Sequence, residues 1–162
     1  MTVQVGDKIP SVELIHSSGG EVTSVNIAER VAGRKVVLFG LPGAYTSVCS
    51  SAHLPSFMRT AEAFRAKGVD EIICVAVNDC RVMQHWGETS GAEEAGITML
   101  ADWNSELTKA LGLEFSVPAI GFKDRMTRCA MYLEDGEVKI LQLEEDKGVC
   151  NLTAGETLLE ML

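Results

Sequence analysis

The chain has 162 residues, of which 46% are hydrophobic, and 14 Lys and Arg against 23 Asp and Glu give it a formal net charge of −9 at pH 7. This length and apolar content predict one domain, residues 1–162, with its own hydrophobic core. The acidic balance, without a basic cluster, argues against nucleic acid and anionic membranes as partners.

Targeting signals and cysteine usage indicate the compartment. The opening residues MTVQVGD lack the charge and apolar core of a signal peptide, and no apolar stretch approaches membrane-spanning length. Five cysteines without a CxxC pair favour reactive thiols in a reducing compartment over a secreted disulfide framework. We therefore expect a cytoplasmic location, or an organelle if a presequence has been removed.

The first half of the chain predicts a hairpin followed by a parallel crossover. Short strands are expected at 12–15 and 22–25 around a turn, and a helical turn at 28–31. The apolar runs 36–39 and 72–77 do not alternate with polar residues, which is typical of strands buried on both faces. A strand, a helix and a strand in this order imply a parallel pair.

The helix between those two strands is predicted to begin at a cysteine. Thr46 is a suitable N-cap, because its hydroxyl can accept a hydrogen bond from the first turn, and Cys49 follows at the positive end of the helix. Pro55 should bend the helix, since it lacks an N–H. One apolar face is expected to pack on the sheet and comprises Leu54, Phe57, Met58, Ala61 and Phe64.

The middle of the chain continues to alternate between helix and strand. Residues 82–86 suggest a short helix and residues 97–101 a strand. Asn104 or Ser105 can cap the next helix, and Gly112 suits its C-terminal end.

The last third predicts a hairpin and a terminal helix. Strands 127–133 and 137–143 flank the turn pair Asp135-Gly136, which indicates an antiparallel hairpin. The segment TAGE, which begins at Thr153, reads as a capping box that opens the final helix. The whole order predicts an α/β fold with a mixed β-sheet covered by helices on both faces.

Cys49 is the candidate nucleophile. An unperturbed thiol is only about 3% thiolate at pH 7. Lowering a thiol pKa to about 6 increases the thiolate fraction roughly 30-fold, or about 2 kcal/mol, which is too little for an efficient enzyme. A second group must therefore stabilise the transition state. The alternative interpretation is that Cys49 packs as a small apolar residue.

The segment PGAYTSVCSSAHLP, residues 42–55, closely resembles the peroxiredoxin active-site pattern P-x-x-x-T-x-x-C. Its longer form resembles the subfamily of peroxiredoxin five and the plant type II enzymes. The resemblance covers nearly the whole chain, through GVDEIICVAVND, MLADWNSELTKALGL and RMTRCAMYLEDGEVKIL. It implies a thioredoxin-like arrangement with an N-terminal extension and an inserted βα segment. It also implies that Cys49 is the peroxidatic cysteine, that Thr46 hydrogen-bonds the peroxide, and that Pro42 shields the thiolate.

The resemblance assigns a fourth residue, an arginine in the late strand, to Arg128 rather than Arg125. A guanidinium stays charged and presents several donors at fixed angles, so it can hold the sulfur and a peroxide oxygen together. The pattern of 127–133 puts Arg128 on one face with Ala130 and Tyr132, and a solvated surface position remains the alternative.

Two cysteines are candidates to resolve the sulfenic acid that peroxide forms on Cys49. Cys150 matches the resolving position of animal peroxiredoxin five, and Cys74 matches the second cysteine of plant type II enzymes. Cys150 lies in a loop of Gly and charged residues, whereas Cys74 lies in a buried strand, so we favour Cys150. Cys80 and Cys129 have weaker claims.

Three positions depart from the family pattern. Tyr45 replaces the usual phenylalanine, and Ser47 replaces a common proline. Cys80-Arg81 stands where related enzymes often carry an apolar pair that packs in the dimer contact, which weakens the expectation of a homodimer.

His53 could ligate a metal with Cys49, but no further ligand lies nearby in the sequence, so we expect no metal site. No glycine-rich nucleotide loop is present, and we expect no cofactor.

These observations support two hypotheses of different kinds. The preferred one is an antioxidant, thiol-dependent peroxidase that reduces hydrogen peroxide and small organic hydroperoxides, with a thioredoxin-, glutaredoxin- or glutathione-like reductant. The alternative is a redox sensor that uses oxidation of Cys49 to switch a partner. A thiol–disulfide oxidoreductase is disfavoured because CxxC is missing.

Overall fold

The computed structural model describes residues 1–146 and 148–162. Its described residues form a seven-stranded sheet, a separate two-stranded sheet and five α-helices. The elements are β1 Glu13–Ser18, β2 Glu21–Asn26, α1 Ile27–Val31, β3 Lys35–Leu41, α2 Leu54–Ala66, β4 Glu71–Ala76, α3 Cys80–Ser90, β5 Ile97–Ala101, α4 Glu106–Ala110, β6 Glu114–Val117, β7 Phe122–Met126, β8 Cys129–Glu134, β9 Glu137–Leu143 and α5 Gly155–Glu160.

The large sheet has the order β2-β1-β5-β4-β3-β8-β9. Strands β3, β4 and β5 are parallel, while β8 pairs antiparallel with β3, and β1 pairs antiparallel with β5. The β8–β9 hairpin turns at Asp135 and Gly136, both at positive φ, as the sequence predicts. The mixed sheet is therefore confirmed. No helix within the described ranges is long and apolar enough to cross a membrane.

Two hydrophobic layers cover the faces of the sheet. Phe39 of β3 packs with Phe57 and Trp86 on one face, and Leu38 packs with Ile27 and other apolar side chains on the opposite face. Successive residues of β3 therefore enter different layers, which explains why its sequence is apolar without alternation. Helices α2, α3 and α5 supply the first layer, and α1 and α4 supply the second.

The distortion expected near Pro55 is a π-helical turn at Cys49–His53. The backbone N–H of Leu54 donates to the carbonyl of Cys49, and α2 continues from Leu54 with Pro55 in its first turn. Pro55 has no N–H to donate, so the wider turn falls where a regular ladder would have been interrupted. The helix that contains Cys49 is therefore irregular at the cysteine itself.

The late strand is shorter than predicted. Strand β8 begins at Cys129, where its pairing with β3 ends, so Arg128 lies in the link between β7 and β8. The preceding Thr127 donates its N–H to the carbonyl of Leu113, 2.8 Å away, instead of continuing the ladder. The β6–β7 hairpin was not predicted, because Pro118 and a run of charged residues obscure its alternation.

The two helix caps predicted in the second half differ from the structure in their side-chain bonds. Ser105 occupies the N-cap position of α4, but within the described residues its side chain makes no capping bond. Asp102 instead accepts from the N–H groups of Leu107 and Thr108 at 3.0 and 2.8 Å. At α5 the N-cap position is Ala154 rather than Thr153, whose hydroxyl donates to Glu144, and the N–H of Gly155 donates to the hydroxyl of Ser56 at 2.9 Å. At α4 the carboxylate of Asp102 takes donors that a capping side chain would bind, and at α5 the carboxylate of Glu144 takes the hydroxyl of the predicted capping residue.

Candidate active site

The predicted nucleophile Cys49 lies at the start of the helical stretch that follows β3. Its side chain is fully buried, in the layer that contains Phe39 and Phe57. The neighbouring Ser50 donates its N–H to the carbonyl of Thr46, 2.9 Å away, and its hydroxyl accepts from the indole N–H of Trp86 at 3.2 Å. The loop and the first turn are thus held to each other and to α3.

Thr46 makes a different bond from the one expected of a cap. Its hydroxyl donates to the carbonyl of Gly43 over 2.8 Å, and within residues 1–146 and 148–162 no first-turn amide donates to it. Because the hydroxyl proton is committed to Gly43, the oxygen's lone pairs remain available to accept from a ligand. This is the geometry required of a group that binds a hydroperoxide O–H.

A pocket of about 320 Å³ opens beside this loop. It brings together three of the four predicted catalytic residues, Pro42, Thr46 and Arg128. The fourth, Cys49, is fully buried and follows the lining residue Val48 in the chain. The β6–β7 hairpin and the helical turn between its strands supply an apolar wall, which comprises Phe115, Val117, Ile120 and Phe122.

Arg128 is buried rather than solvated. Only 2% of the residue is exposed, and its Nη1 donates to Nδ1 of His53 over 3.1 Å. Its Nε atom is also buried, and no partner for it exists within the described part of the chain. A buried guanidinium N–H without an acceptor is costly, which is consistent with a site that receives a negatively charged or oxygen-bearing ligand.

His53 is a site residue whose role the sequence analysis missed, because it considered the ring only as a metal ligand. The ring is fully buried, and its Nε2 donates to the carbonyl of Thr153 over 3.1 Å. Burial, reinforced by the charge of Arg128, lowers the pKa of His53 to about 3, and the bond to Thr153 opposes this only partly. The described residues contain no group of three or more His, Cys, Asp or Glu side chains arranged to hold a metal ion.

Glu144 organises the segment after β9. Its buried carboxylate accepts from the N–H groups of Asn151, Leu152 and Thr153 at 3.0 to 3.2 Å, and from the Thr153 hydroxyl at 2.7 Å. Burial by itself raises the pKa of Glu144, but these hydrogen bonds outweigh it and the pKa is lowered. Glu144 therefore fixes the segment on which Cys150 lies.

Arg125 has a separate function from Arg128. Its Nη1 donates to the carbonyl of Pro42 over 3.0 Å, and its guanidinium stacks on Phe122, 4.8 Å from the ring centre. A Cβ atom at Gly43 would lie 2.4 Å from that Nη1, so glycine is needed for this close approach. Arg125 thus joins the β7 wall of the pocket to the loop that precedes Cys49.

The two candidate resolving cysteines differ in their surroundings. Cys74 is fully buried in β4, paired with Phe39, and burial raises its pKa well above the usual range, with further contributions from Cys49 and Cys129. Cys150 is half-buried, with its sulfur 3.7 Å from the Thr153 hydroxyl. Burial raises the pKa of Cys150 as well, although the Thr153 hydroxyl and the charge of Arg128 oppose that effect.

Two of the positions that depart from the expected pattern, Tyr45 and Cys80-Arg81, lie at or against α3. Tyr45 is half-exposed at φ 65°, and its hydroxyl hydrogen-bonds Nδ1 of His85. Cys80 packs partly against the first hydrophobic layer, while Arg81 is exposed. These contacts tie the loop before Cys49 to α3 through a hydroxyl that phenylalanine would lack.

Known proteins resemble this chain along its whole length. Residues 4–158 match the family described as Redoxin. The chain is 44% identical to Peroxiredoxin-2E-2, chloroplastic, of Oryza sativa subsp. japonica, over 99% of this chain and 73% of the relative. It is 36% identical to Peroxiredoxin-2B of Arabidopsis thaliana, over 99% of this chain and 98% of the relative.

Solved structures agree with this relationship. Reduced Prx3 in complex with H₂O₂ from Vibrio vulnificus superposes with a TM-score of 0.93 at 39% identity, covering 99% of each chain. Peroxiredoxin 5 from Alvinella pompejana superposes with a TM-score of 0.83 at 32% identity, covering 98% of this chain and 96% of that one.

Proposed function

The chain belongs to the peroxiredoxin family, in the subfamily of the plant type II enzymes and peroxiredoxin five, and we propose that Cys49 is its peroxidatic cysteine. The protein has the thioredoxin-like fold of that family and is a thiol-dependent peroxidase. The observation that carries the residue assignment is the pocket lined by Pro42, Thr46 and Arg128 beside the first turn that holds Cys49. Each lining residue has a separate chemical task there.

In the first half of the reaction, the Cys49 thiolate attacks one oxygen of the hydroperoxide. A sulfur–oxygen bond forms, the O–O bond breaks, and the second oxygen leaves with the bonding electron pair and takes up a proton to become water or an alcohol. Cys49 is thereby oxidised to a sulfenic acid and the peroxide is reduced. Negative charge moves from sulfur to the departing oxygen during this step, so fixed donors near both atoms accelerate it.

Different pocket residues bind the peroxide, stabilise the transition state and exclude water. Arg128 supplies a permanent positive charge, and its unpaired Nε is a donor for the sulfur or the peroxide oxygen. Thr46, whose proton is committed to Gly43, accepts from the O–H of the peroxide and so orients it. Pro42 is buried and has no N–H, so it excludes water from the thiolate without competing for the substrate.

In the second half, we propose that Cys150 condenses with the sulfenic acid and releases water as the disulfide forms. The segment of Cys150 can move without breaking the sheet, whereas Cys74 sits within a ladder between β3 and β5. A disulfide requires Cα atoms within about 7 Å, so a local rearrangement accompanies the step. When Cys150 moves out of its half-buried position, the desolvation that raises its pKa is relieved.

The reductant that restores both thiols is proposed to be of the thioredoxin, glutaredoxin or glutathione type. The cytoplasmic location stays a prediction, and a homodimer stays the weaker expectation that Cys80-Arg81 leaves. Relatives include one named chloroplastic and one named mitochondrial, so an organelle is the alternative location. The comparisons favour a peroxidase over a peroxide sensor.

Steady-state peroxide consumption tests the proposal. The reduced protein is given hydrogen peroxide and a small organic hydroperoxide, with thioredoxin, glutaredoxin or glutathione as the electron donor in separate reactions. Consumption of many equivalents that depends on Cys49 supports the assignment. Consumption that stops after a single equivalent with every donor contradicts it.

A further inference from the structure

Arg128 is a buried cation that the protein stabilises with a neutral partner. No carboxylate forms an ion pair with it among residues 1–146 and 148–162. Within the described part of the chain, its side-chain acceptor is Nδ1 of His53, 3.1 Å from Nη1. A carboxylate there would neutralise the charge that the reaction needs, whereas a neutral imidazole fixes the guanidinium and leaves its charge intact.

The bond to His53 determines which donors of Arg128 remain. A guanidinium is planar, and its donors point in fixed directions within that plane. With Nη1 engaged by His53, the side edge of the fork, made by Nε and Nη2, is left for other acceptors. Nε is buried and has no acceptor within the described residues, and Arg128 lines the pocket. The orientation of His53 therefore sets the orientation of the donors that the reacting atoms meet.

His53 is itself held on its opposite side. Nε2 donates to the carbonyl of Thr153, 3.1 Å away, so the ring's proton is on Nε2 and the lone pair on Nδ1 faces Arg128. The ring also packs beside the stacked pair Phe39 and Phe57, with ring centres 5.2 and 5.6 Å away. Thr153 is anchored in turn by two bonds to Glu144. The ring thus has one position and one tautomer.

The charge state of His53 agrees with this geometry. A protonated ring would present an N–H to the N–H of Arg128 and would add a second positive charge in the core. Burial and the charge of Arg128 lower the pKa of the ring to about 3, so it stays neutral and accepts throughout the working range of pH. The facing groups are Arg128 and the Thr153 carbonyl, with Phe39 and Phe57 as apolar walls.

We propose that His53 is a positioning residue, a neutral acceptor anchored to the Thr153 carbonyl that holds the guanidinium of Arg128 so that its Nε edge faces the reacting sulfur and peroxide. The inference rests on the proposed function of Arg128. It also connects the two halves of the cycle, because Thr153 belongs to the Glu144-bound segment that carries Cys150.

Two amide substitutions separate this role from simple core packing. In His53→Asn, the side-chain amide oxygen can occupy the position of Nδ1. The acceptor for Arg128 is then kept, and the hydrogen bond to the Thr153 carbonyl is lost. In His53→Gln, the longer side chain can place its N–H near Nε2, so the bond to Thr153 is kept and the acceptor is lost. His53→Leu removes both groups at similar volume, and His16→Asn, on β1, serves as the control.

The measurement is the second-order rate constant of the reduced protein with hydrogen peroxide, together with the thermal midpoint of each variant. We expect His53→Gln and His53→Leu to lose about 100-fold in rate, as a misplaced catalytic group does. His53→Asn should keep most of the rate even if its midpoint falls, and His16→Asn should match the wild type. Equal losses in Asn and Gln variants, or a faster Gln variant, would overturn the proposal.

A measurement on the unmodified protein keeps the proposal testable if a variant does not fold. Nitrogen NMR of ring-labelled histidine should show His53 neutral, with its proton on Nε2, between about pH 5 and 8. A proton on Nδ1, or a titration within that range, would refute the assignment. Failure of the proposed function is distinguishable, because Arg128→Lys would then keep full activity whatever the His53 variants do.

Discussion

The imidazole of His53 and the guanidinium of Arg128 meet through a 3.1 Å hydrogen bond between side chains that are 0% and 2% exposed. The two residues are 75 positions apart in the chain. One comes from the π-helical turn that begins at Cys49, and the other from the link between β7 and β8. Their hydrogen bond links the helical stretch that contains Cys49 to the guanidinium proposed to stabilise its reaction.

Cys49→Ser should fold normally and lose peroxide reduction almost completely. A hydroxyl fits the buried site but does not ionise near neutral pH, so no comparable nucleophile forms. The assay is peroxide consumption with a reductant in excess, alongside a thermal unfolding curve. Cys80→Ser is the matched control and should keep wild-type activity, since Cys80 lies on α3, outside the pocket lining. More than a trace of activity in Cys49→Ser would remove Cys49 from the mechanism.

Arg128→Lys should fold and react with peroxide about 100-fold more slowly. Lysine keeps the charge but loses the planar fork, so one ammonium cannot satisfy His53 and also direct a fixed donor into the pocket. Stopped-flow measurement of the reaction with peroxide gives the rate directly. Arg81→Lys, at an exposed position, is the control and should leave the rate unchanged. An unchanged rate in Arg128→Lys would contradict the role proposed for Arg128.

Peroxide-treated protein should contain an intrachain disulfide between Cys49 and Cys150. Peptide mapping by mass spectrometry without reduction identifies the pair. Cys150→Ser should accumulate sulfenic acid at Cys49 and lose thioredoxin-dependent turnover, while Cys74→Ser should still form the disulfide. A bridge between Cys49 and Cys74 would transfer the resolving role to Cys74. Undiminished turnover with glutathione and no bridge would indicate resolution by an external thiol.

Glu144→Gln should destabilise the fold at pH 7 by about 1–3 kcal/mol, because an amide cannot replace the carboxylate that accepts the N–H groups of 151–153. The folded state lowers the pKa of Glu144 below its ordinary value of 4.5. Its stabilisation is therefore present above that pH and is lost as the pH falls through the folded-state pKa.

Urea unfolding of wild type and variant at neutral and acid pH checks this prediction. The difference in unfolding free energy should be largest near pH 7 and should shrink as the pH falls through the lowered pKa of Glu144. Glu145→Gln, at an exposed neighbouring position, is the control and should show little difference at either pH. A difference that grows on acidification would have the wrong sign for a carboxylate with a lowered pKa.

Local patterns in the sequence were enough for the regular elements and for the candidate nucleophile. The predicted strand 97–101 and the predicted strand 137–143 have the bounds of β5 and β9. The loop and helix around Cys49 were also predicted, since a buried strand, a Pro-Gly break and a helical apolar face are read within a few turns of one another. The period of side chains and the chemistry of turns act over short distances, so a single sequence displays them.

The tertiary structure decided which polar groups meet. From the sequence, Arg128 could be buried or solvated, and His53 was considered only as a metal ligand. Thr153, assigned to its own helix cap, instead binds Glu144, and it receives the N–H of His53 from 100 positions away. The pocket wall of β6 and β7 was missed altogether. Burial removes water as an alternative partner, so each polar group bonds whichever group the fold brings near, and that choice is made between segments distant in the chain.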